Sequence, residues 1–216
     1  MTREELIKMV ALKMDEISSS DEVVVKVGLG DNNPLYAQIN GLLNETINDV
    51  LMKAPAFRLD SQAAMVDFDS SVEILGKKRL AAKFNAPADF LRLVSITDPL
   101  FARPIVDFSI EGDDIDKRQR NQFLVAKYAK PVAVISTATG HKVITCYSYD
   151  LNDKPAITMV YIKRFRGSED DLAVEVNIDG YLADIISWAC AGKVFATRGD
   201  IEKVKTCDEN ASALMI

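Results

Sequence analysis

The chain has 216 residues, of which 48% are hydrophobic and 27% are charged. This ordinary composition excludes disordered, collagen-like and low-complexity proteins, because the chain has ample apolar side chains to bury. The net charge is −6, from 26 Lys and Arg against 32 Asp and Glu. A free-standing nucleic-acid-binding protein is usually basic, so an acidic chain is expected to let DNA slide past rather than to grip it.

The chain is poor in the residues that catalysis and metal binding need. It has three cysteines at wide spacings and a single histidine, His141. Without a C-x-x-C pair, the cysteines indicate a reducing compartment rather than disulfides or zinc. His141 has no orienting partner that the sequence can name, so we interpret it as a turn residue. Gly28 and Gly30 lack the third glycine of the dinucleotide fingerprint. We therefore expect a protein that is not an enzyme, with no cofactor and no metal.

The N-terminal segment does not have the pattern of a leader or a membrane anchor. It is charged and runs directly into an amphipathic pattern, which predicts that no signal peptide is present. The apolar runs are all shorter than the roughly 20 residues that a membrane helix needs. The sequence thus predicts a soluble protein without a membrane partner.

Two helices are predicted at the start of the chain. Thr2 and Glu5 fit the S/T-x-x-E capping box, and apolar residues at helical spacing follow. This pattern predicts a helix over 2–18. Pro34 is well placed for the first position of a second helix, over 34–53, because a proline there sacrifices no hydrogen bond.

Two more helices are predicted at the end of the chain. Asp179 and Asp200 are good N-caps for helices over 180–198 and 200–212. We expect the apolar faces of the second and third helices to form the core. Its predicted members are Ile39, Leu42, Leu43, Ile47, Leu51, Leu182, Ile185, Ile186 and Ala189.

The middle of the chain has a β-like pattern of short runs separated by turn residues. Residues 23–27 are predicted to form either a short strand or a buried extended link. Strands are predicted at 79–84, 90–96, 103–108, 132–137, 143–149 and 156–165, with a helix-compatible stretch at 112–124. The last three of these strands are joined by short turn signals. They are therefore predicted to form an antiparallel meander.

Helices from both ends of the chain thus enclose a β-rich centre. This order predicts an α+β fold, in which a helical bundle formed by the N- and C-terminal helices carries an inserted antiparallel β-rich domain. The predicted boundaries are 1–56 for the N-terminal helices, 57–178 for the insert, and 179–216 for the C-terminal helices and tail.

Basic residues are clustered at 77–79, 117–120 and 163–166. One such cluster alone is typical of a solvated surface. Several on an acidic protein indicate segregated charge, which suits self-association head to tail around a ring. The candidate inter-subunit contacts are Arg118, Arg120, Arg164 and Arg166. The aromatic residue between Arg164 and Arg166 would also suit nucleic acid, although one triplet is a weak signal.

The chain ends in three large apolar residues, Leu214, Met215 and Ile216, after a polar stretch. Terminal residues are usually disordered unless something holds them. The tail is therefore either a frayed end, a segment folded back on its own helices, or a segment that docks on another chain.

Several segments, taken in order, resemble the head–tail adaptor (connector ring) proteins of short-tailed bacteriophages, including the crAss-like group. Their order and spacing carry the resemblance, which spans about residues 35 to 200. The segments are Ile39–Glu45 through to Ala54-Pro55, Pro87–Ser95, Arg103–Ile105, Gln119–Asn121, Lys130–Ala133 and Trp188–Gly192.

This resemblance implies a virion structural protein that forms a ring, often of twelve copies, between portal and tail. Its implied partners are other copies of itself, the portal protein and other tail or ring proteins, with DNA only passing through the channel. The protein would be made and assembled in the cytoplasm of the bacterial host. The resemblance implies no catalytic residues, and it implies that Leu214, Met215 and Ile216 reach the portal. The alternative is a soluble binding or assembly module without catalytic activity.

Overall fold

The computed structural model confirms the α+β class. It describes residues 1–18, 34–59, 62–68, 73–75, 80–119, 121, 129–138, 140–149, 153–168 and 170–215. The helices are α1 (Arg3–Ser18), α2 (Pro34–Lys53), α3 (Asp114–Gln119), α4 (Gly180–Thr197) and α5 (Ile201–Leu214). The strands are β1 (Ala63–Asp67), β2 (Glu73–Leu75), β3 (Leu80–Asn85), β4 (Phe90–Thr97), β5 (Phe108–Ile110), β6 (Val132–Ala138), β7 (His141–Tyr149) and β8 (Thr158–Lys163).

The chain forms two compact units. A helical unit comprises Met1–Gln62 and Arg164–Ile216, and a β unit comprises Ala63–Lys163. The sequence placed the second boundary later, after residue 178. Residues before α4 belong to the helical unit because they pair with its N-terminus, where Arg3 N–H donates to Val174 O at 3.0 Å and Val176 N–H donates to Met1 O at 2.8 Å.

In the helical unit, α4 packs against α1, α2 and α5. A helix with neighbours on several sides needs apolar residues on most of its circumference, and α4 is accordingly the most apolar helix of the unit. All the predicted core residues are buried except Leu42 and Ala189, which are partly buried. Helical periodicity therefore identified the core of this unit correctly.

The predicted helix starts are confirmed at the level of single hydrogen bonds. Thr2 N–H donates to Glu5 Oε2 at 2.8 Å, and Glu5 N–H donates to Thr2 Oγ1 at 3.2 Å, which completes the capping box. The bond from Thr2 N–H also lowers the pKa of the Glu5 carboxyl. Asp179 accepts from Leu182 N–H at 2.7 Å, and Asp200 caps α5 in the same way.

We predict that Asp179→Ala lowers the free energy of unfolding by about 1 kcal/mol, because α4 would lose the side chain that caps its first turn. Asp179→Asn is the matched control, since asparagine caps a helix about as well as aspartate. Urea denaturation of the two variants measures the difference. Equal stabilities for the alanine and asparagine variants would contradict the capping role.

The β unit contains two sheets, and this corrects the predicted meander. One sheet has the order β1-β8-β4 and is antiparallel; the other has the order β2-β3-β7-β6-β5. Strands β6 and β7 do form a tight antiparallel hairpin, with Gly140 at φ +81° in its turn. However, β8 pairs with β1 and β4 rather than with β7. The segment before β8 is held instead by Asp98, which accepts from Ala156 N–H at 2.8 Å.

One other strand prediction also changes. The strand predicted at 103–108 is replaced by β5, which starts at Phe108 and runs parallel to β6, while Ile105 forms an isolated bridge with Ile96. The short strand or extended link predicted at 23–27 lies outside the described residues. Helix α3 occupies part of the helix-compatible stretch at 112–124.

A single hydrophobic cluster packs both sheets of the β unit together. Aromatic pairs contribute to it, with ring centroids 4.3 Å apart for Phe68 and Phe84 and 5.9 Å apart for Phe90 and Tyr161. Offset and tilted pairs at such distances stabilise a core beyond the area they bury.

Candidate interaction surfaces

The described residues contain no group of three or more His, Cys, Asp or Glu side chains that could hold a metal ion. The three cysteines are buried and unpaired. Burial raises the pKa of the Cys190 and Cys207 thiols to about 11, and it also raises that of Cys146. The reactive thiolate is therefore disfavoured at all three positions. Within the described part of the chain, no helix is long and apolar enough to cross a membrane.

A row of asparagines on α2 holds the segment that carries Arg164 and Arg166. Asn48 Nδ2 donates to Phe165 O at 3.0 Å, and Phe165 N–H donates to Asn48 Oδ1 at 2.8 Å. One turn earlier, Asn44 Nδ2 donates to Gly167 O at 2.9 Å. Four helical residues rise about 6 Å, which nearly matches the roughly 6.6 Å that two extended residues span. The two amides therefore grip alternate residues of one extended segment.

A buried arginine, Arg3, holds the asparagine side chains of α2 in place. Arg3 is fully buried, and its guanidinium donates to Asn40 Oδ1, to Asn44 Oδ1 at 2.8 Å and to Asn40 O at 2.9 Å. Because Asn44 accepts from Arg3 with its oxygen, its nitrogen is turned towards Gly167. A Cβ at Gly167 would lie 2.7 Å from Phe165 Cζ and 2.9 Å from Arg3 Nη1, so a larger residue there would require the Phe165 ring or the buried guanidinium to move.

The grip leaves two arginine side chains pointing into solvent. Alternate residues of an extended segment face opposite sides. Phe165 is partly buried, with its ring packed over Gly167, while Arg164 and Arg166 are exposed on either side of it. Neither guanidinium is in an ion pair within the described residues. The structure thus brings these two predicted site residues together on a firmly held backbone.

The other two predicted contact arginines lie in or beside the short helix α3. Arg118 is exposed in its last turn, whereas the neighbouring Lys117 forms an ion pair with Asp114 at 3.7 Å. Arg120 lies outside the described residues. Arg118 belongs to the β unit, whereas Arg164 and Arg166 belong to the helical unit.

Strand β5, the residues just before it and helix α3 display exposed apolar side chains that were not predicted as interaction residues. Val106, Ile110 and Ile115 are 66%, 70% and 43% exposed. Their neighbours Asp107 and Glu111 are exposed carboxylates. The available signal was a series of large apolar residues, four and then five positions apart, among acidic ones. We call residues 106–118 the acidic edge segment.

Carboxylates also cover the backbone of this edge. Strand β5 is the last strand of its sheet. Phe108 N–H donates to Asp107 Oδ1 at 2.8 Å, and Ile110 N–H donates to Asp113 Oδ2 at 3.1 Å. An exposed edge strand normally offers such groups to another strand, and charged residues are a common way to prevent this. The acidic edge segment can therefore contact a partner through side chains rather than by adding a strand.

A groove of about 430 Å³ lies between α2, α4 and α5. Lys193 on its wall forms ion pairs with Glu45 at 2.6 Å and Asp49 at 2.5 Å. Partial burial lowers the pKa of Lys193, but the hydrogen bonds with Asp49 and Glu45 outweigh it, and the net pKa is raised. This lysine is thus charged and already neutralised, in contrast to Arg164 and Arg166.

The C-terminal residues pack on this side of the helical unit. Helix α5 continues to Leu214, whose carbonyl accepts a hydrogen bond from the Tyr181 hydroxyl, and Met215 lines the groove. Ile216 lies outside the described residues. Leu214 and Met215 are therefore arranged as expected for a tail folded back on its own helices, and docking of these three residues on a portal stays a prediction.

Comparison with known proteins does not assign the chain to a family. No protein-family model matches the chain, and no curated protein matches it.

Proposed function

We propose that this chain is a virion structural protein that forms a closed ring between a portal and a tail and leaves a channel for DNA. The observation that carries the proposal is a pair of exposed arginines, Arg164 and Arg166, neither in an ion pair within the described residues, on a backbone held by Asn44 and Asn48 in a chain whose net charge is −6. Ordered positive charge on an otherwise acidic subunit favours contact with further acidic subunits. In a ring each copy uses one surface to bind the next and a different surface to be bound.

The division into two compact units supports this proposal. A helical unit and a β unit provide chemically different surfaces on the same chain. Contacts between unlike surfaces generate rings when the rotation closes. By the resemblance described above, the ring has about twelve copies, and its other partners are the portal protein and further tail or ring proteins.

DNA is proposed to pass through the ring without being gripped. The net charge of −6 repels a polyanion at long range. The Phe165 ring is partly buried and packs over Gly167, which leaves less of the ring to stack on a base. Both observations favour passage over binding.

Labelling of virions tests the proposal. A gold-labelled antibody against this chain should mark the vertex at which the tail joins the head in negative-stain images. Light scattering of the chain, alone and mixed with the portal protein, should show a closed oligomer in at least one case. Unlabelled virions would overturn the proposal. They would favour the alternative, a binding or assembly module without catalytic activity, for which the 430 Å³ groove is the supporting observation.

We predict that deletion of Leu214–Ile216 reduces incorporation of the chain into particles several-fold, since these apolar side chains would no longer reach the portal. The deletion also removes the carbonyl that Tyr181 binds. Tyr181→Phe is therefore the matched control, because it loses the same hydrogen bond and keeps the apolar tail. Immunoblotting of purified particles measures incorporation. Full incorporation of the truncated chain would rule out the docking role of the tail.

A further inference from the structure

We propose that the extended segment gripped by Asn44 and Asn48 docks along the acidic edge segment of the next copy. The occupant of this surface is thus a second copy of the same chain. The inference rests on the proposed function, because a ring needs a contact between two unlike surfaces of neighbouring subunits. It identifies those surfaces, and it gives Arg118, Arg164 and Arg166 distinct partners.

Charge order along the two segments is the first argument. The gripped segment, residues 164–168, carries Arg164 and Arg166, and the exposed carboxylates of Asp170 and Asp171 come after it in the chain. Along the acidic edge segment the order of charge is reversed, with negative residues before positive ones. It begins with exposed carboxylates and ends with exposed Lys117 and Arg118.

The two segments therefore match when they run side by side in the same direction. The guanidiniums of Arg164 and Arg166 then face Asp107 and Glu111, with planar N–H groups suited to carboxylates. At the other end, Arg118 of the receiving copy faces the carboxylates that follow the gripped segment. Complementary charges at both ends fix the register and disfavour the reversed alignment.

The apolar side chains of the acidic edge segment supply the second argument. Val106, Ile110 and Ile115 are large, exposed and set among charges. An apolar centre with a polar rim is the usual anatomy of a protein interface. A partner that covered these side chains would remove them from water and would place the charged pairs at the rim.

The geometry of both segments also makes the contact specific. The gripped segment is ordered before binding, so little conformational entropy is lost when it docks. On the receiving side, the Asp107 and Asp113 bonds already occupy the β5 backbone N–H groups of Phe108 and Ile110. The contact is consequently made by side chains, and open-ended strand addition between copies is disfavoured.

Protein carboxylates are favoured over nucleic acid as the partner of Arg164 and Arg166. The aromatic ring between them is partly buried and packs over Gly167. The chain's own charge of −6 also makes a second copy a suitable partner for positive side chains, whereas it repels a long polyanion. Binding of DNA by these arginines is the competing outcome of the test.

Complementary pairs of variants test the inference. Arg164→Ala/Arg166→Ala removes one surface, and Asp107→Ala/Glu111→Ala removes the charges of the other. Sedimentation velocity over a range of concentrations should show that either change weakens self-association by about tenfold, as expected for the loss of two exposed ion pairs. Lys130→Ala/Lys154→Ala is the matched control, since both lysines are exposed and belong to neither surface.

Mixing the two alanine variants is the sharper experiment. Each retains one intact surface, so a 1:1 mixture should stop at complexes of two chains, whereas the wild type continues to larger assemblies. A charge swap that combines Arg164→Glu and Arg166→Glu with Asp107→Arg and Glu111→Arg should restore association. Thermal unfolding checks that each variant folds; the Arg164 and Arg166 substitutions leave the backbone hydrogen bonds to Asn44 and Asn48 intact.

These experiments can reject the proposed contact between copies without rejecting the proposed ring function. If the wild type associates and both alanine variants associate equally well, the inference is overturned while the ring proposal stands. A wild-type chain that stays monomeric at every concentration also overturns it, and virion labelling then decides the function. Loss of binding to a DNA oligonucleotide, without any loss of self-association, would assign Arg164 and Arg166 to nucleic acid instead.

Discussion

Arg3→Ala is expected to lower the free energy of unfolding by about 3–5 kcal/mol, because several buried acceptors would lose their donor and the missing side chain would leave a cavity. The Arg3 side chain is fully buried, and its guanidinium donates to Asn40 and Asn44. Alanine would leave the acceptors of those bonds unpaired inside the protein and would open a cavity beside Gly167. Chemical denaturation monitored by the fluorescence of the single tryptophan measures the loss.

Lys8→Ala is the matched control for Arg3, because it removes a cation from the same helix. Lys8 is partly exposed, and its ion pair within the described residues is with Glu4 in i,i+4 spacing, so its loss should change stability by less than about 0.5 kcal/mol. Arg3→Lys should remain strongly destabilising, since an ammonium group cannot reproduce the fork that reaches both asparagines. If Arg3→Ala and Lys8→Ala had similar stabilities, the buried network would not be holding the helical unit together.

The helices of this protein could be predicted almost to the residue because their signals are local. A capping side chain and the backbone N–H that it accepts from lie within three residues of one another, as at Asp179 and Asp200. The apolar spacing that follows each cap then determines which face is buried. None of this requires knowledge of distant parts of the chain.

Strand partners were harder to predict because pairing is not local. The sequence of β8 fits a strand in either sheet, and the short turn signal before it favoured β7 as its neighbour. In the structure β8 lies between β1 and β4. The decisive contacts come from Asp98, which lies far earlier in the chain than the residues it holds, and no periodicity could reveal that pairing.

Only half of the candidate interaction surface was visible in the sequence. The basic clusters showed where positive charge would lie, and Arg164, Arg166 and Arg118 are indeed exposed. Asn44 and Asn48 were missed because amides on a helix are typical of a solvated face. Arg3 was missed because a charged residue near the N-terminus is rarely buried. The four-residue spacing of Asn40, Asn44 and Asn48, which places them on one face of α2, was the available signal.

Asp98→Ala is expected to cost about 3 kcal/mol or more, because three donors lose a nearly buried acceptor at once. Asp98 is only 5% exposed and accepts from the Tyr149 hydroxyl at 3.0 Å, Ala156 N–H at 2.8 Å and Leu100 N–H at 2.8 Å. Burial, with the nearby Cys146 and Asp98, raises the pKa of Tyr149, so its hydroxyl keeps the proton that it donates.

More conservative substitutions separate the contributions of the individual hydrogen bonds to Asp98. Tyr149→Phe removes one donor and should cost about 1 kcal/mol, whereas Asp98→Asn keeps an acceptor without the charge and should fall between that variant and Asp98→Ala. Asp67→Ala is the matched control, since this exposed carboxylate accepts from Thr158 Oγ1 on the neighbouring strand β8. Its loss should cost less than about 1 kcal/mol, because water can replace the bond.

Amide hydrogen exchange of Asp98→Ala would test whether Asp98 also directs β8 into its sheet. If Asp98 holds the segment before β8, exchange at Ala156 N–H should accelerate more than exchange in the β6–β7 hairpin, which has its own ladder of hydrogen bonds. Uniform acceleration across the β unit would mean that Asp98 stabilises the whole unit without directing the chain. Unchanged exchange at Ala156 would show that the pairing of β8 with β1 and β4 suffices to place the strand. In that case the register would be set by the alternation of buried residues such as Met159 and Tyr161 along β8, which a shift of one residue would turn to the opposite face.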